Sequence, residues 1–231
     1  MSIICDDAGV GLPVGGVIIG ACRLADRIGV TPPDFVWEEV PPAYFQGAAY
    51  ADKAYLRAVA IAAQNLLDRL HAPTDEPITV CQGWILSQAR SRLTGVFSDL
   101  RSGVIGEPLQ SLIETQLQRH LKEKYGFEID YEILTQKPGL AFFQSLVWLK
   151  GGNPYKIAAA LPEREAQCKT GWASWRCWAD NLYPEAKELA RQLKAARDAE
   201  SAAVGGRRAG GGYSSRNRQE GDEDPNAGLP F

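Results

Sequence analysis

Residues that bind zinc or form disulfides are scarce in this sequence of 231 residues. It contains five cysteines and only two histidines. No two cysteines form a CxxC pair, so a zinc site is not expected. The cysteines are odd in number and scattered along the chain, which argues against a disulfide framework and predicts a reducing, cytoplasmic environment.

Long apolar runs are also missing. No stretch approaches the roughly 18–20 residues that cross a bilayer as a helix. The first residues do not combine a basic segment with a long apolar one, the pattern of a secretory signal. We therefore expect a cytoplasmic protein without a membrane partner.

Strong charge of one sign is the third absence, because the net charge is only −3. The charges are unevenly spread, however. Residues 1–80 hold ten acidic and five basic side chains, whereas residues 137–178 hold six basic and two acidic ones. A mildly acidic protein with one basic sector can still bind a polyanion locally.

The sequence does contain segments with clear secondary-structure patterns. Short β-branched and apolar runs predict strands, and apolar residues at helical spacing predict helices. The predicted strands cover residues 2–7, 17–24, 34–40, 77–86 and 127–134. The predicted helices cover residues 50–70, 107–126, 139–152 and 183–200, with a strand as the alternative for 139–152.

The order of these elements, three strands followed by alternating helices and strands, resembles the ribonuclease H-like fold. That resemblance implies an α/β domain with a mixed five-stranded sheet and flanking helices. We expect this domain, with a C-terminal helical extension, to cover residues 1–200. Residues 201–231 are rich in Gly, Arg, Ser and Asp, and such a segment buries too little apolar surface to fold, so a disordered tail is predicted.

Residues 4–21, ICDDAGVGLPVGGVIIGA, carry the clearest local motif. A strand ends in two acids, Ala-Gly and a further Gly follow, and a second apolar strand comes next. This pattern is similar to the N-terminal motif of type 2 ribonucleases H. The resemblance implies that Asp6 and Asp7 are catalytic and bind Mg²⁺ or Mn²⁺, with Asp7 replacing the usual Glu. Two-metal phosphodiester hydrolysis needs several carboxylates close together.

The rest of the family's pattern is incomplete. Val10 stands in place of an Arg. Residues 81–84, Cys-Gln-Gly-Trp, stand where an Asp follows the fourth strand, and residues 137–140 lack the acid that opens a late helix. The acids left as alternative ligands are Asp52, Asp68, Asp130 and Glu132. An active metal site, a non-catalytic relative and a simple polar turn after a buried strand all stay open here.

The segment GWASWRCW, residues 171–178, combines tryptophans with basic side chains. Trp172, Trp175 and Trp178 are three residues apart and would form a stripe on a helix. Aromatic rings beside cations can stack unpaired bases, so these residues, with Lys169 and Arg176, are predicted to bind nucleic acid. The alternative is that the three indoles pack a helix onto the core.

The C-terminal segment has three parts: a Gly/Arg/Ser stretch at 205–219, an acidic cluster at 220–224 and a Leu-Pro-Phe tip. It resembles the C-terminus of bacterial single-stranded-DNA-binding proteins. The resemblance implies that the tip binds replication or repair proteins, and the alternative is an ordinary solvated terminus. The predicted partner-binding residues are Asp222, Glu223, Asp224, Leu229, Pro230 and Phe231.

Together these features predict a protein of DNA replication, repair or recombination, of the type found in phages and mobile elements. It would bind nucleic acid, in particular single-stranded DNA, and recruit partner enzymes through its tail. The alternative is a Mg²⁺-dependent ribonuclease H-like nuclease or junction resolvase that uses Asp6 and Asp7. A regulatory or assembly protein unrelated to DNA is a third possibility that the sequence leaves open.

Overall fold

The computed structural model describes residues 1–24, 34–152 and 159–180. Within these residues the strands are β1 (Ser2–Ala8), β2 (Val17–Leu24), β3 (Asp34–Val40), β4 (Ile78–Cys81) and β5 (Leu100–Gly103). The α-helices are α1 (Gly47–Ala51), α2 (Ala54–Arg69), α3 (Ser87–Thr94), α4 (Leu109–Tyr125), α5 (Tyr131–Gln136), α6 (Pro138–Leu149), α7 (Pro162–Glu165) and α8 (Trp175–Ala179). Two 3₁₀ helices cover Pro42–Phe45 and Trp84–Leu86.

The five strands form one mixed sheet in the order β3-β2-β1-β4-β5. β2 runs antiparallel to both of its neighbours, β1 and β3, whereas β1, β4 and β5 run parallel to one another. The predicted α/β class, with a mixed five-stranded sheet and flanking helices, is confirmed. The arrangement is compatible with the ribonuclease H-like fold.

Helices cover both faces of the sheet, so its central strands are apolar on both sides. On one face, Ile3 and Cys5 of β1 pack with α2 and α3. On the other face, Ala8 of β1 and Ile18 of β2 pack with α4 and α6. This alternation follows from the strand geometry, in which successive side chains point to opposite faces.

Several predicted elements agree with the structure. The strands predicted at 17–24 and 34–40 are β2 and β3, and the helix predicted at 107–126 is α4. This helix ends at Gly126, whose positive φ of 64° places it in the left-handed conformation that terminates helices. The segment 139–152 is largely helical, as α6, rather than a strand.

The fifth strand was predicted at the wrong place. Residues 127–134 alternate in hydropathy but form no strand, and β5 is instead the short segment Leu100–Gly103. Asp130 explains the difference, because its carboxylate accepts hydrogen bonds from the amides of Glu132 and Ile133 at 2.8 and 3.3 Å. Such a cap starts a helix, here α5.

The helix predicted at 183–200 and the tail predicted at 201–231 lie outside the described residues. Across the described ranges, no helix has the length and hydropathy needed to cross a bilayer.

Candidate active site

The carboxyl ends of β1 and β4 lie at the topological switch point of the sheet, where the chain leaves neighbouring strands toward opposite edges. From β1 the chain continues to its neighbour β2 on one side, and from β4 it continues to β5 on the other. The connections therefore diverge and leave a crevice, the usual ligand site of open α/β sheets. A cleft of ≈ 450 Å³ opens here, with Asp7 and Glu114 among its lining residues.

Asp6 lies at this edge, near the end of β1, on the face of the sheet that α4 covers. Its carboxylate accepts hydrogen bonds from the Cys81 thiol and from the amide of Asp7, the latter at 2.9 Å. Burial raises the pKa of Asp6, and the negative charge of Glu114 raises it further, while the two hydrogen bonds act in the opposite direction.

Gly20 explains how α4 comes so close to Asp6. Gly20 is the register partner of Asp6 on β2. A Cβ atom on Gly20 would lie 2.1 Å from Cγ2 of Ile113, so only glycine allows α4 to pack at this distance. Glu114 follows Ile113 in the helix, and the close packing brings its carboxylate within electrostatic range of Asp6.

Glu114 is held from two helices. Its Oε1 accepts a hydrogen bond from Gln110 Nε2 at 3.2 Å, and its Oε2 accepts one from the Tyr131 hydroxyl at 3.3 Å. Glu114 is absent from the predicted site because the fifth strand was predicted after this helix. With β5 at Leu100–Gly103, α4 becomes the helix that follows the fifth strand, and Glu114 is the acid near its start.

Asp7 follows Asp6 and so faces the opposite side of the strand. Gly83 lies close to it, since a Cβ on Gly83 would be 3.7 Å from Asp7 Oδ1. Burial, and then repulsion from Asp6, raise the pKa of Asp7 to about 7. The two side chains of the motif therefore leave β1 on opposite faces, although Asp7 also contributes to the lining of the cleft beside Glu114.

Cys81 ends β4 at the position where the resemblance would place another acid. Burial and the hydrogen bond with Asp6 raise the pKa of the Cys81 thiol to about 12. It is therefore a protonated donor at neutral pH and supplies no negative charge to the site.

The described residues contain no cluster of three or more His, Cys, Asp or Glu side chains arranged to hold a metal ion. Asp6 and Glu114 interact electrostatically but form only a pair. The alternative ligands considered from the sequence do not join them. Asp52 and Asp68 are exposed, Asp130 caps α5, and Glu132 forms an ion pair with Lys137.

Lys169 holds the loop that follows Asp7 and Ala8. Its ammonium donates to the backbone carbonyls of Gly9, Gly15 and Gly16, at 2.9, 3.2 and 3.2 Å. Burial lowers the pKa of Lys169 to about 7, but three carbonyl acceptors match the three N–H groups of an ammonium and favour the charged form.

The backbone around Lys169 adds to this connection. The amide of Lys169 donates to the Pro13 carbonyl at 2.8 Å, and the amide of Gly15 donates to the Gln167 carbonyl at 2.9 Å. The side chain of Lys169 is only 7% exposed. Lys169 is therefore not available for the nucleic-acid binding that the sequence predicts, because its buried ammonium donates its hydrogen bonds to the loop.

The tryptophan segment is also part of the core. Trp172, Trp175 and Trp178 are 9%, 2% and 1% exposed. The rings of Trp172 and Trp178 each lie 5.3 Å from that of Phe142, edge to face. Buried indoles cannot stack bases, so core packing is the alternative that the structure supports. Arg176 alone of the five predicted residues is exposed, and it pairs with Glu165 at 3.2 Å.

Replacing Trp175 should therefore affect stability rather than binding. Trp175→Ala removes a buried ring and the hydrogen bond from its Nε1 to Glu165, and should cost about 3–5 kcal/mol of unfolding free energy. Arg176→Ala, one residue along at the surface, should change it by less than about 0.5 kcal/mol. Urea denaturation of both variants measures the difference, and similar losses would contradict the core assignment.

Asp7→Asn should stabilise the protein at pH 8. The pKa of Asp7 is about 7 in the folded chain and about 4 in the unfolded one. The folded state thus binds the proton more tightly, so stability falls as pH rises from about 4 to about 7. Asparagine removes this loss and should add about 1–2 kcal/mol at pH 8 and little at pH 4. Equal effects at both pH values would contradict the buried-carboxylate explanation.

Comparison with known proteins gives no family for this chain. No protein-family model matches it, and no curated protein is significantly similar to it. The six residues predicted to bind partners, from Asp222 to Phe231, lie outside the described residues.

Proposed function

We propose that the protein acts on nucleic acid at the cleft beside β1 and α4, and that it hydrolyses a phosphodiester bond with the help of Mg²⁺ or Mn²⁺. The observation that carries this proposal is that the Asp6 and Glu114 carboxylates interact electrostatically beside a cleft whose lining includes Asp7 and Glu114. The compatible fold and the motif around Asp6 support the same chemistry.

Two carboxylates are enough for this kind of site. Mg²⁺ is commonly bound through one or two carboxylates, and the phosphates of the substrate complete its coordination. A preformed cage of three or more protein ligands is therefore not required. Asp6 and Glu114 would hold the ion, and Asp7 would add negative charge at the rim of the cleft.

The electrostatics of Asp6 suit a cation. The groups that shift its pKa include no Lys or Arg within the described part of the chain, and burial and Glu114 both disfavour its negative charge. A divalent ion would offset that cost. The chemistry that Mg²⁺ or Mn²⁺ supplies when bound is activation of a water and neutralisation of charge on the phosphate.

The chain's own residues position this site. The Cys81 thiol and the Asp7 amide donate to Asp6 and fix its carboxylate. The Tyr131 hydroxyl and the Gln110 amide hold Glu114. Lys169 fixes the loop that leads from Asp7 back into β2.

The direct test is a cleavage assay with the full chain. Labelled single-stranded DNA, duplex DNA, RNA–DNA hybrid and branched DNA are incubated with Mg²⁺, Mn²⁺ or EDTA. The proposal predicts cleavage of at least one substrate in metal and none in EDTA. No metal-dependent cleavage of any substrate would reject it.

A second candidate function is a non-catalytic adaptor that binds single-stranded DNA and recruits replication or repair enzymes through its tail. Two observations favour it: Cys81 supplies no charge where the resemblance places an acid, and the sequence ends in an acidic segment with a Leu-Pro-Phe tip. Phe231 offers an aromatic ring to an apolar pocket, and the acids before it can pair with basic side chains beside that pocket.

Deleting residues 229–231 should abolish recruitment and leave the stability of the domain unchanged. The tip would supply the apolar anchor, and the acids at 222–224 would add salt-sensitive attraction. Pull-downs of replication and repair proteins with the full and shortened chains measure the effect, and thermal unfolding of both is the control. Equal recovery of these proteins by both chains would show that the tip is not a docking element.

A further inference from the structure

The cleft beside Asp7 has a lining unlike that of a phosphate-binding groove. Two of its lining residues, Asp7 and Glu114, are acidic. The others are apolar or glycine: Ala8, Gly9, Gly11, Leu12, Leu117, Leu134, Pro138, Gly139 and Ala141. No Lys or Arg is among the described residues that line it. A bare phosphate backbone would meet negative charge and hydrocarbon along this surface.

A nucleobase matches such a lining better than a phosphate does. It is neutral, and its flat faces are apolar enough to pack against Leu12, Leu117 and Leu134. The volume of ≈ 450 Å³ is within the usual range for sites that hold small molecules, about 300–1,000 Å³. The acidic residues remain available to the neighbouring phosphate and its cation.

Only an unpaired strand can present a base in this way. In a duplex both faces of each base are stacked on their neighbours, and extracting one costs a few kcal/mol. Single strands are instead bound by apolar and aromatic side chains on which successive bases stack. The lining therefore favours an unpaired strand over a duplex.

An exposed aromatic ring lies on a helix that contributes to the cleft lining. α6 contributes Pro138, Gly139 and Ala141 to the lining. Phe143, on the same helix, is 40% exposed although it is a large apolar residue. It lies one turn after Gly139, so the two share a face of the helix. Leu140, beside them, is also exposed.

We propose that an unpaired nucleic-acid strand occupies this cleft, with one base against the apolar lining and an adjacent base stacked on Phe143. The identity of the ligand as nucleic acid rests on the proposed function. The new elements are the cleft as the site of the unpaired strand, with one base against its apolar lining, and the stacking role of Phe143, which replaces the buried tryptophans as the aromatic contact.

The experiment measures binding without cleavage. A fluorescein-labelled 20-nucleotide strand and its duplex are titrated with the full chain by fluorescence anisotropy, with Ca²⁺ in place of Mg²⁺. The single strand should bind more tightly than the duplex. Phe143→Ala should weaken its binding by about 5- to 100-fold, because one stacked base contributes roughly that much, and Phe143→Tyr should retain most of it.

Tyr44→Ala is the matched control, because Tyr44 is an exposed aromatic residue on the 3₁₀ helix Pro42–Phe45, which contributes no residue to the cleft lining, whereas Phe143 lies on α6, which contributes three. It should leave binding unchanged. Equal loss in both variants, an unchanged affinity in Phe143→Ala, or a preference for the duplex would each overturn this inference. A third outcome separates this inference from the proposed function. If the single strand binds tightly through Phe143 but no metal-dependent cleavage occurs, the inference is supported and only the proposed hydrolysis is rejected. If neither the single strand nor the duplex binds, this inference and the proposed hydrolysis of nucleic acid are both overturned.

Discussion

Glu114→Gln should lower the rate of metal-dependent cleavage by at least about 100-fold, the usual scale for removing one group that stabilises charge in a reaction. The substitution keeps the size of the side chain and an acceptor oxygen for Tyr131, but it removes the negative charge that faces Asp6. Asp6→Asn should have an effect of similar size, because both carboxylates would hold the same ion. Initial rates at saturating Mn²⁺ measure the loss.

Glu123→Gln is the matched control. Glu123 lies on the same helix and pairs with Arg119 at the surface, at 2.8 Å, and the substitution makes the same chemical change. It should leave the rate within about twofold, since isolated surface pairs contribute little. A rate for Glu114→Gln equal to that of Glu123→Gln would show that Glu114 has no part in the reaction.

Lys169→Met should cause a large loss of stability for a change at a polar side chain. Methionine has nearly the same length but no N–H, so the carbonyls of Gly9, Gly15 and Gly16 would lose their common donor. The Gly9 carbonyl keeps the Leu12 amide as a donor, and the loss of the three buried hydrogen bonds to Lys169 should cost about 2–4 kcal/mol. For a domain of this size that corresponds to a fall in Tm of about 5–15 °C.

The same change should release the loop at residues 9–16. Hydrogen exchange of its amides should accelerate more than exchange in the core of β2, because the tie to Lys169 is local. Lys122→Met serves as the control, since Lys122 is exposed and pairs with Glu128, and it should alter Tm by no more than about 1–2 °C. Equal Tm values for the two variants would contradict the role assigned to Lys169.

The central part of the fold could be predicted from the sequence because its patterns are strong and local. β2 and β3 are apolar or β-branched runs, and α4 has apolar residues at helical spacing with a terminal glycine. β5 could not be predicted, because Leu100–Gly103 is four residues long and its Arg101 and Ser102 are exposed. It becomes a strand only by pairing with β4.

Only part of the site could be predicted from the sequence. Asp6 and Asp7 belong to a contiguous motif, but Glu114 is 108 positions after Asp6 and reaches it through the packing of α4 on Gly20. The tryptophan segment failed for the opposite reason. Its spacing predicts a helical stripe, yet α8 begins only at Trp175 and all three indoles are buried, which the spacing does not show. Lys169 is likewise predicted from the sequence to bind nucleic acid, whereas its ammonium donates hydrogen bonds to three carbonyls that are distant in sequence.

The most direct measurement is anomalous X-ray scattering from crystals of the protein grown with Mn²⁺ and a short single-stranded oligonucleotide carrying a non-hydrolysable phosphate linkage. A site that Asp6 and Glu114 assemble with the substrate predicts an anomalous peak between their carboxylates and a phosphate oxygen, about 2.0–2.3 Å from each ligand. Two results would contradict the proposed metal site: nucleic acid bound elsewhere on the protein, or nucleic acid bound in the cleft with no Mn²⁺ beside Asp6 and Glu114.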